Sequence, residues 1–505
     1  MKKLYIYLMA GMMSLTSCSD WLDVDPKTSI PAEKQFESEY GFKDALTGVY
    51  LKLTATNMYG RNLTFGYLDE LAQLYTVVGA TSQDELLQIY RYKENLDTRA
   101  QIDGIYMAFY NTIANVNHLL KMLEEKREVL VTEHYYETMK GEALALRAFL
   151  HFDLLRLFGP IYADEPSGQA IPYRTEFNSE ATPILAANEV VEKILADLQA
   201  AQDLLKDHDP LDFFTDPEFD NVLGKDMFLL DRQFRMNLFA VKAMMARVYC
   251  YKGDAESRKL AAQYAKEVIG ATDYFSLYKQ QSNENYNSIR YREQIFGISV
   301  FELDELLENN NMSMAGPEYV ESSLQRRYVL DDEKYTDFYD MSSGGSNDWR
   351  TLNVMFGMTP SRYHYSLKYN QSKLQNNAEG MDAMPLIRLP EMYYIAIECA
   401  PTAKEAADLL NEFRQSRGWS FDDDVTAEGL DDLDVNSKED KTKTKRINHL
   451  MREVRKEYFA EGQLFFFLKA HHYKTFAGSV FEEMTPVLYQ WPLPDNETIF
   501  GNNSK

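Results

Sequence analysis

Cysteine is scarce: three residues in a chain of 505, Cys18, Cys250 and Cys399. That number excludes a disulfide framework, and no spacing among them suits a thiolate metal site. Cys250 and Cys399 sit in apolar, helix-like sequence and read as buried thiols acting as small hydrophobes; one disulfide between them stays open as an alternative. Positive charge is also short, with 53 Lys and Arg against 78 Asp and Glu and a net charge of −25. Binding to nucleic acid needs clustered cations, so it is excluded as a partner. Beyond the first 15 residues, no apolar run is long enough to cross a hydrocarbon core of ~30 Å as a helix. Gly-x-Ser-x-Gly, His-Glu-x-x-His and phosphate-cradling glycine loops are missing, so no catalytic residues and no cofactor are called for. Carboxylates abound, yet nothing singles out two that face each other.

The amino terminus carries more information. Lys2 and Lys3 precede an apolar stretch from Leu4 to Leu15, then Leu15-Thr16-Ser17-Cys18. A charged start, a short apolar core and small residues before a cysteine have the layout of a secretory signal and resemble the bacterial lipobox. The expectation is a cleaved peptide over residues 1–17, lipidation of Cys18, and an acidic, proline-containing tether over 18–39. Two or three acyl chains would hold the protein stably on a membrane.

The rest of the chain, 40–505, reads as mainly α. Helical periodicity predicts helices over 40–53, 102–126, 135–158, 187–205, 234–251 and 257–269. The helix over 135–158 is apolar almost all round, which places it inside a helical body, and Gly159-Pro160 stops it. The pair flanking Lys252-Gly253-Asp254 resembles a tetratricopeptide unit, and a second pair is expected over 386–399 and 403–416. Between the pairs, 273–383 is rich in Tyr, Asn, Ser and Gly and reads as a loop-rich insert with short strands such as 296–301. Acidic stretches at 207–220 and 422–440 read as solvated loops without the glycine and terminal glutamate of a calcium-binding EF-hand loop.

Several segments together resemble the SusD/RagB family of Bacteroidetes nutrient-binding lipoproteins. They are Cys-Ser-Asp-Trp-Leu-Asp-Val-Asp-Pro (18–26), Gly-Glu-Ala-Leu-Ala-Leu-Arg-Ala-Phe-Leu-His-Phe-Asp-Leu-Leu-Arg-Leu-Phe-Gly (141–159), Ala-Arg-Val-Tyr-Cys-Tyr-Lys-Gly-Asp (246–254), Pro-Leu-Ile-Arg-Leu-Pro-Glu-Met-Tyr (385–393), Arg-Glu-Val-Arg-Lys-Glu-Tyr-Phe-Ala-Glu-Gly-Gln (452–463) and Pro-Leu-Pro-Asp-Asn-Glu (492–497). Their order along nearly the whole chain makes the set specific. The sequence departs from the family after Gln463, where Phe465-Phe466-Phe467-Leu468-Lys469 and two histidines replace the usual Asp-Leu-Lys-Arg-Trp-like ending. The resemblance implies a tetratricopeptide-like helical scaffold with a loop-rich ligand-binding face. It also implies oligosaccharide capture at the outer membrane and a SusC-like TonB-dependent transporter as partner; a peptide or glycopeptide ligand, or a lipoprotein hydrolase, are the alternatives.

A sugar site needs aromatic faces and planar polar groups, and tyrosine supplies both. Two tyrosine-rich groups are therefore the candidate ligand residues: Tyr67, Asp69, Tyr75, Tyr90 and Tyr92, with Tyr59, Arg61 and Gln73 nearby; and Arg290, Tyr291, Tyr319 and Trp349, with Tyr286 and Tyr363. The competing reading is core packing, and only a meeting of the two groups on one face favours a ligand site. His471 and His472 point to different helix faces and cannot share a metal as i, i+4 residues do, so no metal site is expected. Arg147, Asp153 and Arg156, in an apolar helix, must be paired, and the run Arg452, Glu453, Arg455, Glu457 and Glu461 reads as inter-helix pairing.

Overall fold

Helix Tyr135–Phe158 lies at the centre of the molecule, with all but two of its 24 residues buried. A computed structural model describes residues 32–76, 87–211, 227–278, 291–309, 328–352, 355–371 and 380–500. Cys18, and with it the expected signal peptide and most of the tether, lies outside the described residues, as do Tyr286, Arg290 and Tyr319.

The longer helices are α1 Glu39–Leu53, α2 Leu96–Glu125, α3 Tyr135–Phe158, α4 Ala187–Leu205, α5 Leu238–Lys252, α6 Ala255–Ile269, α7 Leu389–Glu398, α8 Ala403–Ser416, α9 Lys445–Glu457 and α10 Gln463–Ala470. Several starts have a local cause. Asn95, Asn237, Asp254, Thr402 and Thr444 cap α2, α5, α6, α8 and α9 by accepting backbone N–H bonds. Gly253, in the left-handed region at φ 76°, lets α5 turn directly into α6. Helix α3 packs against α2 and α4, α5 against α6, and α7 against α6 and α8. The expected helix pairs are both present, compatible with a tetratricopeptide-like arrangement. Among the described residues no helix is long and apolar enough to cross a membrane.

Small sheets join the loop-rich insert to this body. Strands Gln169–Pro172 (β1) and Ile184–Ala186 (β2) pair next to α4. Strand Gln294–Ser299 (β3) pairs antiparallel with Ala383–Arg388 (β7), and Val329–Leu330 (β4), Phe356–Met358 (β5) and His364–Ser366 (β6) form a three-stranded sheet. The β7 strand corrects the expected helix from 386: apolar residues run without a break from Ala383 to Ile387, all buried, and the helix starts only at Leu389 with Pro390 in its first turn.

Residues 212–220 of the first acidic stretch lie outside the described residues, and 422–438 of the second is mostly exposed as expected, but single carboxylates are buried. Asp209 is buried against Arg232 at 2.8 Å. Asp440 accepts from the Lys474 N–H at 2.7 Å, and Glu439 pairs with Arg455 at 3.1 Å. Each carboxylate found a partner delivered by a distant element, which local composition does not reveal.

Candidate functional site

The first tyrosine group is part of the interior. Tyr67, Asp69, Tyr75, Tyr90 and Tyr92 are each at most 6% exposed. Their hydroxyls donate to backbone carbonyls: Tyr67 to Ile89 at 2.9 Å, Tyr75 to Phe65 at 2.7 Å, Tyr92 to Leu488 at 2.6 Å, and Tyr90 to Leu71. Asp69 accepts from the Gly462 N–H at 3.0 Å and from Tyr75 at 3.3 Å. Burial pushes its carboxyl well above the ordinary range, against the pull of Lys368. The rings rest on other rings, Tyr67 on Trp491 at 5.3 Å and Tyr75 on Tyr328 at 5.0 Å. These side chains were expected to offer ring faces to a sugar; in this structure the faces are covered, because a tyrosine with its hydroxyl satisfied by a carbonyl gains more from burial than from exposure.

The second group is divided. Tyr291 packs on Phe234, with its hydroxyl at Gln233. Trp349 is 2% exposed and donates its indole N–H to the Ser416 carbonyl at 3.0 Å. Tyr363 is half-buried beside Val329 and Tyr365. The stretch that meets the first group is 328–335, which residue types alone did not mark. Thr76 bonds the Val329 carbonyl at 2.7 Å and the Asp331 carboxylate at 3.0 Å, while Lys334 donates to the carbonyls of Gln73 and Tyr75 at 2.7 and 2.8 Å. The loop-rich insert and the 59–76 segment thus share one side of the molecule, through Tyr328 and Lys334 and not through Tyr291 or Trp349.

Behind Trp349 lies a buried charge network. Glu453 and Glu457 stand one turn apart on α9, and Glu461 follows in the turn between α9 and α10. Glu457 meets three guanidinium groups: Arg388 at 2.8 Å, Arg417 at 3.0 Å and Arg350 at 3.1 Å. Arg388 also holds Glu293 at 3.0 Å and Glu461 at 2.8 Å, and Arg350 reaches Glu453 at 2.7 Å. All are at most 3% exposed. Burial alone would raise Glu457, but Arg417, Arg388 and Arg350 hold it well below the usual carboxylate range. The network ties the insert, through Glu293 and Arg350, to α7, α8 and α9. Its role is structural.

An opening lies elsewhere, a cavity of about 910 Å³ bounded by α3, α5, α6, α7, α9 and α10. Its walls carry Tyr162, Tyr251, Tyr394, Tyr458, Phe466 and Phe467 together with several paired charges. Arg247 forms a two-pronged pair with Glu391 at 2.5 and 2.6 Å, and His471 meets Glu398 at 3.2 Å. His472 turns away to Asp164 at 2.5 Å. Cys250 and Cys399 are free thiols whose sulfurs lie 3.7 Å apart at the cavity edge. Sequence reading missed this site because its residues come from six separate stretches, each individually explicable as core. Among the described residues no cluster of three or more His, Cys, Asp or Glu side chains is placed to hold a metal ion.

Comparison with known proteins extends this picture. A family described as "Starch-binding associating with outer membrane" matches residues 20–216. A SusD-like protein, P2, of Formosa agariphila is 26% identical over 293 residues, which cover 56% of this chain and 50% of that protein. A SusD-like protein of Bacteroides ovatus is 22% identical over 37% of this chain and 32% of that one. The chain therefore spans half or less of the length of these relatives. Among solved structures, a SusD-like carbohydrate binding protein from Bacteroides vulgatus superposes with a TM-score of 0.64 at 16% identity, covering 92% of this chain and 97% of that chain. Surface glycan-binding protein A from Bacteroides uniformis superposes with a TM-score of 0.56 at 18% identity, over 93% of this chain and 94% of that one.

Proposed function

We propose that this chain is a SusD-like protein with a binding role and no catalysis: a lipoprotein, anchored at Cys18 on the outer membrane, that captures oligosaccharides and passes them to a SusC-like TonB-dependent transporter. The observation that carries this reading is the correspondence of fold over 92% of the chain with a SusD-like carbohydrate binding protein. The matched family's association with the outer membrane supports the location. The lipobox-like Leu-Thr-Ser-Cys supplies a chemical means of staying there.

The capture face lies on the side where residues 59–76 meet 328–335. The buried tyrosines Tyr67, Tyr75, Tyr90 and Tyr92, with Asp69, serve it from beneath. They fix the backbone of these segments, as a rigid element positions a binding loop. Tyr291 and Trp349 do the same for the insert, and Arg290 and Tyr319, outside the described residues, stay candidate ligand residues.

Calorimetry of a soluble form beginning at residue 19, against neutral and acidic oligosaccharides and against peptides, tests the reading. Binding to at least one glycan is the expected result; binding to peptides and to no glycan overturns it. Cys18→Ala should release the protein from membranes with its glycan affinity unchanged.

A further inference from the structure

Two of the three cysteines of this chain meet in the folded protein, although 149 residues separate them. Cys250 stands in the last turn of α5, and Cys399 follows directly on α7. Their sulfurs lie 3.7 Å apart, with the Cys399 thiol donating, and both are free. Helix packing brings them together. Gly253 turns α5 into α6, α6 packs along α7, and Arg258 of α6 donates to the Glu398 carbonyl beside Cys399. A disulfide bond is about 2.0 Å long, so the sulfurs have to close by about 1.7 Å, a distance that side-chain rotation covers.

The two thiols are not alike. Cys399 is 7% exposed, whereas Cys250 is half-buried and belongs to the wall of the helical cavity, so Cys250 is the better placed of the two to be reached from outside. Their surroundings are polar. Cys250 hydrogen-bonds the Glu398 carboxylate, which His471 meets at 3.2 Å and Arg258 at 3.7 Å. The Cys399 contact and burial hold the Cys250 thiol well above its ordinary value, and Arg258 draws it the other way. A thiol kept protonated exchanges slowly near neutral pH, which sets the rate and leaves the product unchanged. Disulfides persist in exported proteins and are rare in the cytosol, where reductants keep thiols free.

We propose that Cys250 and Cys399 form a redox pair that an external disulfide converts to an intramolecular bond. Cys250 Sγ, as thiolate, attacks one sulfur of the reagent and displaces the other; Cys399 Sγ then attacks the Cys250 sulfur and displaces the second. One S–S bond breaks and one forms. Two electrons pass from the protein to the reagent, and the two thiol protons end on the two thiols released. The new bond closes a long loop and ties the end of α5 to the end of α7 at the cavity edge. Oxidation in the cell rests on the outer-membrane location proposed above; the pairing itself does not.

The test uses the full chain carrying Cys18→Ala, so that only these two cysteines remain, purified reduced and incubated with oxidised glutathione at pH 8. Its mass should fall by about 2 Da with no adduct left, and digestion should yield one peptide pair joining residues 250 and 399. The thermal midpoint should rise by roughly 2–4 °C and return on adding dithiothreitol. Cys399→Ser, which lacks the second sulfur, should stop as a glutathione adduct on Cys250, and Cys250→Ser should stay largely unmodified. Both thiols still free after a day, or a lasting adduct in place of the intramolecular bond, overturns the pair. A faster adduct in Cys250→Ser than in Cys399→Ser overturns the order of attack, and a midpoint that stays level or falls on oxidation overturns the tie between α5 and α7. Sugar binding and membrane attachment play no part in these readouts, so capture can fail while the pair stands, and the reverse.

Discussion

Two arginine-rich interiors sit in one molecule and are finished differently. In the network around Glu457, three arginines face glutamates at 2.7 to 3.1 Å. In the cavity around Arg156 and Tyr458, similar side chains are equally buried, yet donors are left over. Burial of charge by itself therefore separates nothing. What separates these two interiors is whether the carboxylates match the arginines in number and reach.

That contrast can be broken at either end. Glu457→Gln leaves Arg350, Arg388 and Arg417 short of a shared counter-ion and should cost about 3–5 kcal/mol, read as a fall in the urea midpoint. A loss below about 1 kcal/mol would erase the distinction between the two interiors. Acid should act in the same place. Burial would raise Glu453 and Glu457, but Lys456 and Arg350 for the first, and Arg417, Arg388 and Arg350 for the second, hold both folded values down. A depressed folded value means the unfolded chain binds protons first, so stability is complete above the unfolded value near ~4.3 and drains away as the pH falls below it. Glu293, raised by burial, titrates in the opposite sense and offsets part of the loss. Urea unfolding from pH 6 down to pH 3 should show a net decline; a level profile would contradict it.

Smaller effects sharpen the comparison. Tyr90→Phe removes a buried bond to the Leu71 carbonyl and should cost about 1 kcal/mol with oligosaccharide affinity unchanged. A loss of affinity with stability intact would mean that Tyr90 touches the ligand. Tyr458→Phe should change stability least, by under about 0.5 kcal/mol, because its hydroxyl has no bond to lose.

Helices built on strong periodicity were plain in the sequence. The bounds of α3, α4 and α8 are those expected, since capping and stop residues coincide with the ends of the apolar pattern. Helix α2 starts earlier than its apolar stripe because Asn95 caps it ahead of a polar first turn. The Glu457 network was partly visible as a charge run, but its arginine partners Arg350, Arg388 and Arg417 are 40 to 107 residues away. The tyrosine groups were found by residue type, and residue type does not distinguish a ring that faces a ligand from one that faces Trp491. The cavity was illegible for the same reason in reverse: Tyr251, Phe466 and Tyr458 look like core until the space between them is seen.

The backbone contact of Gly462 with Asp69 bears on how the chain reaches this state. Gly462 sits at φ 73°, and a Cβ there would meet the Leu63 carbonyl oxygen at 2.4 Å. The Asp69 bond spans 393 residues, Gln73 bonds Met484 across 411, and Tyr92 bonds Leu488 across 396. Closures of such length are slow to form, and none can begin before residue 462 has been made. A chain halted short of residue 462 would leave Asp69 without the Gly462 N–H and Gln73 without Met484. The native contacts of Asp69, Gln73 and Tyr92 thereby wait on residues 462 to 488, so the first tyrosine group closes late whatever the speed of its own helices.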